Sequence, residues 1–262
     1  MTLEILHMPA ERAAAKRPPI LFVHGSYSSA HIWSVRFMPY FSEKGFTCNA
    51  VSLRGHGGSD GLLNWATLAD YGEDLAEAMR RMDQPPILIG HSLGGMVVQQ
   101  ALATHKMAAA VLLASVPPSG LGSSAMHLSM FAPDILWQLG LLQSLGPQAV
   151  SAETMARAFL SEEASHDTKA LLMSQLQLES PRAAAELMAP AQPALPAAKP
   201  PILVLGGDAD RFLPTSAFRE TATYFGADLM ILKGAPHVLM VDDGWWQTAA
   251  DEIIGWLALR GV

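Results

Sequence analysis

The chain has 262 residues, with 17 Lys and Arg against 24 Asp and Glu, a formal net charge of −7. Half of its residues are hydrophobic and 16% are charged, against roughly 25% in ordinary soluble domains, which excludes a disordered chain. The mild acidic excess without a Lys/Arg run argues against a nucleic-acid partner, and the single cysteine, Cys48, excludes an intrachain disulfide and a cysteine-rich zinc site.

From the N-terminus, Thr2–Met8 alternates apolar and polar residues more than the later strand-like runs do, which fits an antiparallel edge strand. Ile20–His24, Thr47–Leu53, Ile87–His91, Ala109–Ser115, Ile202–Gly206 and Asp228–Lys233 read as strands. Several are apolar throughout, the pattern of a parallel sheet covered on both faces. Between them lie helical stripes. Trp33, Phe37, Tyr40 and Phe41 form one, stopped near Gly45. Leu68, Tyr71, Leu75, Met79 and Met82 form a second, Leu93, Val97, Ala101 and Leu102 a third, and Trp246, Ala249, Ile253, Trp256 and Leu257 the last. Alternating strand and helix predicts a doubly wound, mostly parallel α/β sheet. Three strands open on the same Pro-Pro-Ile-Leu, at Pro18, Pro85 and Pro200. Proline pre-extends the chain and is tolerated where a strand begins.

The alternation stops between Ser119 and Lys199, which offer only helix-like pieces: Pro133 onward, Ser151 before Ala152–Leu160, and Ser180-Pro181. A single crossover rarely needs roughly 80 residues. Residues 119–199 are therefore expected to form a helical cap inserted into a core made of residues 1–118 and 200–262. The longest apolar stretch, Met107–Val116, is about half of what a bilayer crossing needs. With no basic region ahead of an apolar run at the N-terminus, the expected location is the cytoplasm.

The chemistry centres on Gly90-His91-Ser92-Leu93-Gly94, between the apolar run Ile87-Leu88-Ile89 and the predicted helix from Met96 to Thr104. A strand–turn–helix setting of this kind strains the backbone at the central serine and lifts its hydroxyl above the sheet. Serine needs a base to take its proton. His237 lies just past the last strand, and loops that follow parallel strands converge on the sheet edge where Ser92 lies. The base in turn needs an acid, and the loop Gly207–Pro214 offers Asp208 and Asp210. The amide of Leu93 is one expected donor to a developing oxyanion; a second should come from the loop after Phe22-Val23-His24-Gly25.

His24-Gly25, Arg54-Gly55-His56-Gly57-Gly58-Ser59-Asp60, the Ser92 turn, Asp210-Arg211-Phe212-Leu213-Pro214 and His237 together resemble the α/β-hydrolase superfamily, over essentially the whole chain. Nucleophile, acid and histidine follow in that family's order. The resemblance implies Asp210 as the acid, since it stands four residues before Pro214, and leaves Asp208 to shape the loop. It implies Ser26, directly after His-Gly, as the second oxyanion donor, with Tyr27 as the alternative. His24 and His56 are expected to hold loops, His91 to pack or orient, and Arg54 to organise its loop. Its usual partner is in question, because Ser52 stands where relatives often carry Asp. A serine nucleophile disfavours epoxide opening and halide displacement, which use aspartate. His91 before the serine, rather than Asn, weakens carbon–carbon bond hydrolysis, and the missing Trp-Pro after Gly25 sets the chain apart from many perhydrolase-type members.

The expected activity is that of a serine carboxylesterase on neutral, apolar esters, with no metal and no organic cofactor. Tyr27 and the cap residues Met130, Phe131 and Leu139 are candidates for substrate binding, and Met126, Met155, Met173 and Met188 for core or pocket lining. Two other functions stay open. One is cofactor-independent lyase or oxygenase chemistry with the His–Asp pair as base. The other is a non-catalytic ligand receptor.

Overall fold

The computed structural model describes residues 1–11 and 17–262. Seven strands form one sheet: β1 (Ile5–Met8), β2 (Ile20–Val23), β3 (Cys48–Val51), β4 (Ile87–His91), β5 (Ala109–Leu113), β6 (Ile202–Gly207) and β7 (Asp228–Leu232), in the order β1-β3-β2-β4-β5-β6-β7. β1 pairs antiparallel with β3 at one edge, and every other pair is parallel. β2, β4, β5 and β6 are buried at every residue, which explains why they carry no polar side chain except His91 at the end of β4. The prolines ahead of three strands keep their carbonyls in use. Pro19 accepts from the Ile87 amide, Pro86 from Ala108 and Pro201 from Ala110, at 2.8–2.9 Å.

The first helical stripe is two helices, α1 (His31–Ser34) and α2 (Phe37–Glu43). Pro39 explains the interruption. It has no amide to donate to Val35, so it is tolerated only in a first turn, and the helix restarts just before it. Trp33 and Phe37 still share one buried face, with Trp33 stacked on Phe22 at 4.8 Å. α3 (Leu68–Arg80) begins in a capping box between Thr67 and Asp70. α4 (Leu93–Ala101) follows β4 directly, α10 (Thr215–Phe225) follows β6, and α11 (Trp246–Leu259) closes the chain. Cys48 is fully buried in β3, and burial pushes its thiol up to about 12. Trp256 is buried, whereas Trp245 and Trp246 are only partly so.

Between β5 and β6 the chain makes five helices: α5 (Gly122–Phe131), α6 (Pro133–Leu145), α7 (Ala152–Phe159), α8 (His166–Gln175) and α9 (Pro181–Met188). Ser151, Ser165 and Ser180 each accept from an amide three residues on, so three of the five starts are serine-capped. Among the described residues no helix is long and apolar enough to cross a membrane.

Candidate active site

Ser92 joins β4 to α4 with φ 53° and ψ −115°, a conformation that L-residues rarely adopt. Sterics around it demand glycine. A Cβ on Gly90 would lie 2.4 Å from the Gly94 carbonyl oxygen, and one on Gly94 would lie 2.4 Å from the carbonyl oxygens of both Val23 and His24. The turn therefore packs backbone against backbone, with no side chain able to yield. Gly94→Ala is expected to destabilise the fold by about 3 kcal/mol, the upper part of the usual overpacking range. Denaturant unfolding of the variant checks this, and a midpoint equal to the parent's would show that the turn relaxes.

His237 Nε2 lies 3.2 Å from Ser92 Oγ, and His237 Nδ1 lies 2.7 Å from Asp210 Oδ2. The other Asp210 oxygen accepts from the Phe212 and Leu213 amides, both at 2.8 Å. With Nδ1–H donating to the carboxylate, Nε2 is left as the acceptor facing the serine hydroxyl. All three side chains are buried. The rings of Phe159 and Phe212 lie 5.8 and 5.1 Å from the His237 ring and shield it from water. Asp208 is turned elsewhere: its Oδ1 accepts from the Gly234 amide at 2.5 Å. The two loops are also joined through their backbones, Ala209 N donating to Ala235 O.

Neither the Leu93 amide nor the Ser26 amide has a hydrogen-bond partner among the described residues. Leu93 directly follows Ser92 in the chain, and Ser26 lines the cavity that opens on Ser92. His24 anchors the loop that carries Ser26. Its Nε2 accepts from Leu53 N at 3.0 Å and its Nδ1–H donates to Gly25 O at 2.8 Å. Such a ring must be neutral, and burial followed by the neighbouring His56 pushes it down to about 3. Tyr27 follows with φ 61°, its carbonyl accepting from Gln177 N and its hydroxyl donating to Gln143 Oε1 at 2.7 Å. His91 lies against His237 with ring centroids 4.9 Å apart, and its Nε2–H donates to the His237 carbonyl at 3.1 Å. Burial, then the nearby His237, hold His91 well below the usual histidine range, so it orients the His237 loop as a neutral donor.

Arg54 finds its partners on α3 rather than at position 52. It grips the buried Asp74 through Nε and one terminal nitrogen and also pairs with Asp70 and Glu73. Ser52 instead donates to Glu4 and accepts from the Ala30 amide.

A cavity of about 220 Å³ sits over Ser92 and His237, walled by the loop after β2 and by the inserted helices. Tyr27 and Leu139 line it. Met130 and Phe131 do not, which corrects the sequence expectation. They are 62% and 71% exposed on the outer side of α5. The reason is that α5 is apolar on both sides. Ser124, Ala125 and Leu128 face the cavity, while Met126 and Met130, one turn apart, face outward. No periodicity marked which side would be covered. Of the methionines, Met155 is core, Met188 lines the cavity, and Met126 is exposed. Phe212, carried in by the Asp210 loop, also lines the cavity, as do Ser28, Ser124, Gln143 and Phe159, which had no linear signal because packing brings them there. Among the described residues no group of three or more His, Cys, Asp or Glu side chains is placed to hold a metal ion.

A family model described as "Alpha/beta hydrolase family" matches residues 20–247. The chain is 34% identical over 104 residues to a non-heme chloroperoxidase of Streptomyces lividans, covering 38% of this chain and 37% of that protein. It is 32% identical over 110 residues to the polyneuridine aldehyde esterase of Rauvolfia serpentina, covering 40% and 41%. The chain thus spans about two fifths of the length of these curated relatives. An esterase from Exiguobacterium antarcticum has a similar structure, with a TM-score of 0.77 at 14% identity, covering 98% of this chain and 95% of that one.

Proposed function

The chain belongs to the alpha/beta hydrolase family, and from that premise we propose that it is a serine hydrolase of the carboxylesterase type, acting on neutral, apolar esters. The observation that carries this reading is the continuous relay from Asp210 through His237 to Ser92, opening onto a mostly apolar cavity. In this mechanism Ser92 Oγ attacks the ester carbonyl while His237 Nε2 takes its proton. Asp210 holds the ring in the required tautomer and stabilises imidazolium. The Leu93 and Ser26 amides, free of other partners, bind the developing oxyanion. His237 then protonates the leaving alcohol, and a water activated by the same histidine releases the acid.

A fluorophosphonate probe followed by intact-mass measurement and peptide mapping tests the reading. A single adduct on Ser92 is expected. Turnover that persists when Ser92 is fully blocked would instead support proton abstraction by the His–Asp pair, and neither adduct nor turnover would support a receptor.

The segment 119–199 acts as a cap in this proposal. It supplies most of the cavity wall and seals the histidine loop through the bond from Val238 N to Phe159 O. Cap residues on the wall should therefore govern chain-length choice. Leu139→Ala is expected to move the preferred ester toward longer chains, changing the long-to-short kcat/KM ratio by about tenfold. Met130→Ala and Phe131→Ala, on the outer face, should keep the parent profile. Chain-length series for the three variants check this, and a shift confined to the two outer residues would reverse the assignment.

A further inference from the structure

Within the apolar wall of the cavity, two buried hydroxyls have no hydrogen-bond partner among the described residues: Ser124 Oγ on α5 and Ser28 Oγ on the loop that carries Ser26. Ser124 is the more informative, since its residue is 0% exposed. A helical serine normally returns its hydroxyl to a carbonyl one turn back. Ser129 on the same helix does so, donating to Met126 O at 2.7 Å. Ser124 makes no such bond. A buried hydroxyl without a partner is disfavoured relative to the alanine that would pack there equally well. Neither Tyr27 nor Gln143 is paired with it: Tyr27 donates to Gln143, and Gln143 donates in turn to the Glu179 carbonyl. Ser124 is therefore an unused hydrogen-bonding group in the wall of the substrate cavity.

We propose that the Ser124 hydroxyl recognises a second, uncharged oxygen on the substrate, so that the preferred esters carry a keto, hydroxyl or ether oxygen besides the scissile ester. The inference rests on the hydrolase reading above and names the substrate class of that site. The oxygen is uncharged because, among the described residues, no Asp, Glu, Lys or Arg lines the cavity, and an ionic group would lose its hydration without compensation. A hydroxyl that can both donate and accept suits any of the three oxygen types.

Matched ester pairs test the proposal: p-nitrophenyl hexanoate against its 4-oxo and 5-oxo analogues and an ether isostere of the same length, and ethyl against 2-methoxyethyl hexanoate. The readout is the kcat/KM ratio within each pair, compared between parent and variant, so that intrinsic reactivity cancels. At least one oxygenated ester is expected to be favoured, and Ser124→Ala should lower its ratio by about five- to tenfold, the worth of one net hydrogen bond. Ser129→Ala, an exposed serine outside the cavity, should leave the ratio at the parent value. Thermal melting confirms that the variants are folded; if Ser124→Ala is not, Ser124→Cys, a much weaker donor, should lower the ratio in the same direction. Ratios that are the same in the parent and in a folded Ser124 variant would overturn the proposal, with plain esters still hydrolysed and the hydrolase reading intact. Loss of all ester turnover in the parent, together with no fluorophosphonate adduct on Ser92, would overturn the hydrolase reading itself.

Discussion

Ser92→Ala is expected to lower ester turnover by about 10⁴- to 10⁶-fold while leaving the fold intact. The size follows from the site's construction. Ser92 Oγ stands 3.2 Å from the only ring nitrogen of His237 that Asp210 leaves free, so no second nucleophile is set up to replace it. Residual rate should come from binding and from the Leu93 and Ser26 amides, which the substitution does not touch. The fold should tolerate it because alanine removes one atom and the serine hydroxyl caps no helix amide. The strained backbone at φ 53° remains, since the neighbouring glycines, not the hydroxyl, permit it. Single-turnover kinetics on an activated ester and circular dichroism check both halves. A variant that keeps a tenth or more of the parent rate would remove Ser92 from the nucleophile's role.

Asp210→Asn should lower turnover by about 10²- to 10⁴-fold. The carboxylate does two things that an amide cannot do together. It accepts from His237 Nδ1 at 2.7 Å and balances the positive charge that the ring acquires in the transition state. Its second oxygen is held by the Phe212 and Leu213 amides. An asparagine that keeps those two bonds turns its NH₂ toward the ring and forces the wrong tautomer on Nε2. Asp208→Asn is the control. Its role is to accept from the Gly234 amide, which an amide oxygen can still do, so turnover should stay within about threefold of the parent. Parallel kcat/KM measurements on folded variants decide the matter. A larger loss from the Asp208 change than from the Asp210 change would exchange their roles.

The fold class was legible because its signal is local and repeated. A strand buried on both faces must be apolar throughout, and Ile87–Ile89 or Ala109–Leu113 can be read as such without knowing their neighbours. The antiparallel edge at Ile5–Met8 was legible for the same reason: a half-covered strand alternates. The serine turn carried its own glycines, whose need is set by backbone approaching backbone within a few residues. The single stripe from Trp33 to Phe41 was read too simply, because its periodicity survives the break that Pro39 imposes.

What the linear pattern left open were questions of direction. Asp208 and Asp210 are both loop carboxylates after one strand, and residue type alone does not separate them. The tertiary structure does, because one turn of backbone points Asp210 at His237 and Asp208 at Gly234. Arg54 could not name its partner, since Asp74 arrives from a helix about twenty residues on and is buried only once that helix docks. The inserted helices were the least legible. Their apolar residues lie all round α5, so whether Met130 or Leu128 met the cavity depended on which neighbours packed against the helix. Sequence by itself therefore determined the sheet, the turn that presents Ser92 and the kinds of side chain at the site. Packing between segments far apart in the chain decided their directions, because burial and hydrogen-bond pairing are properties of neighbours in space that no local periodicity encodes.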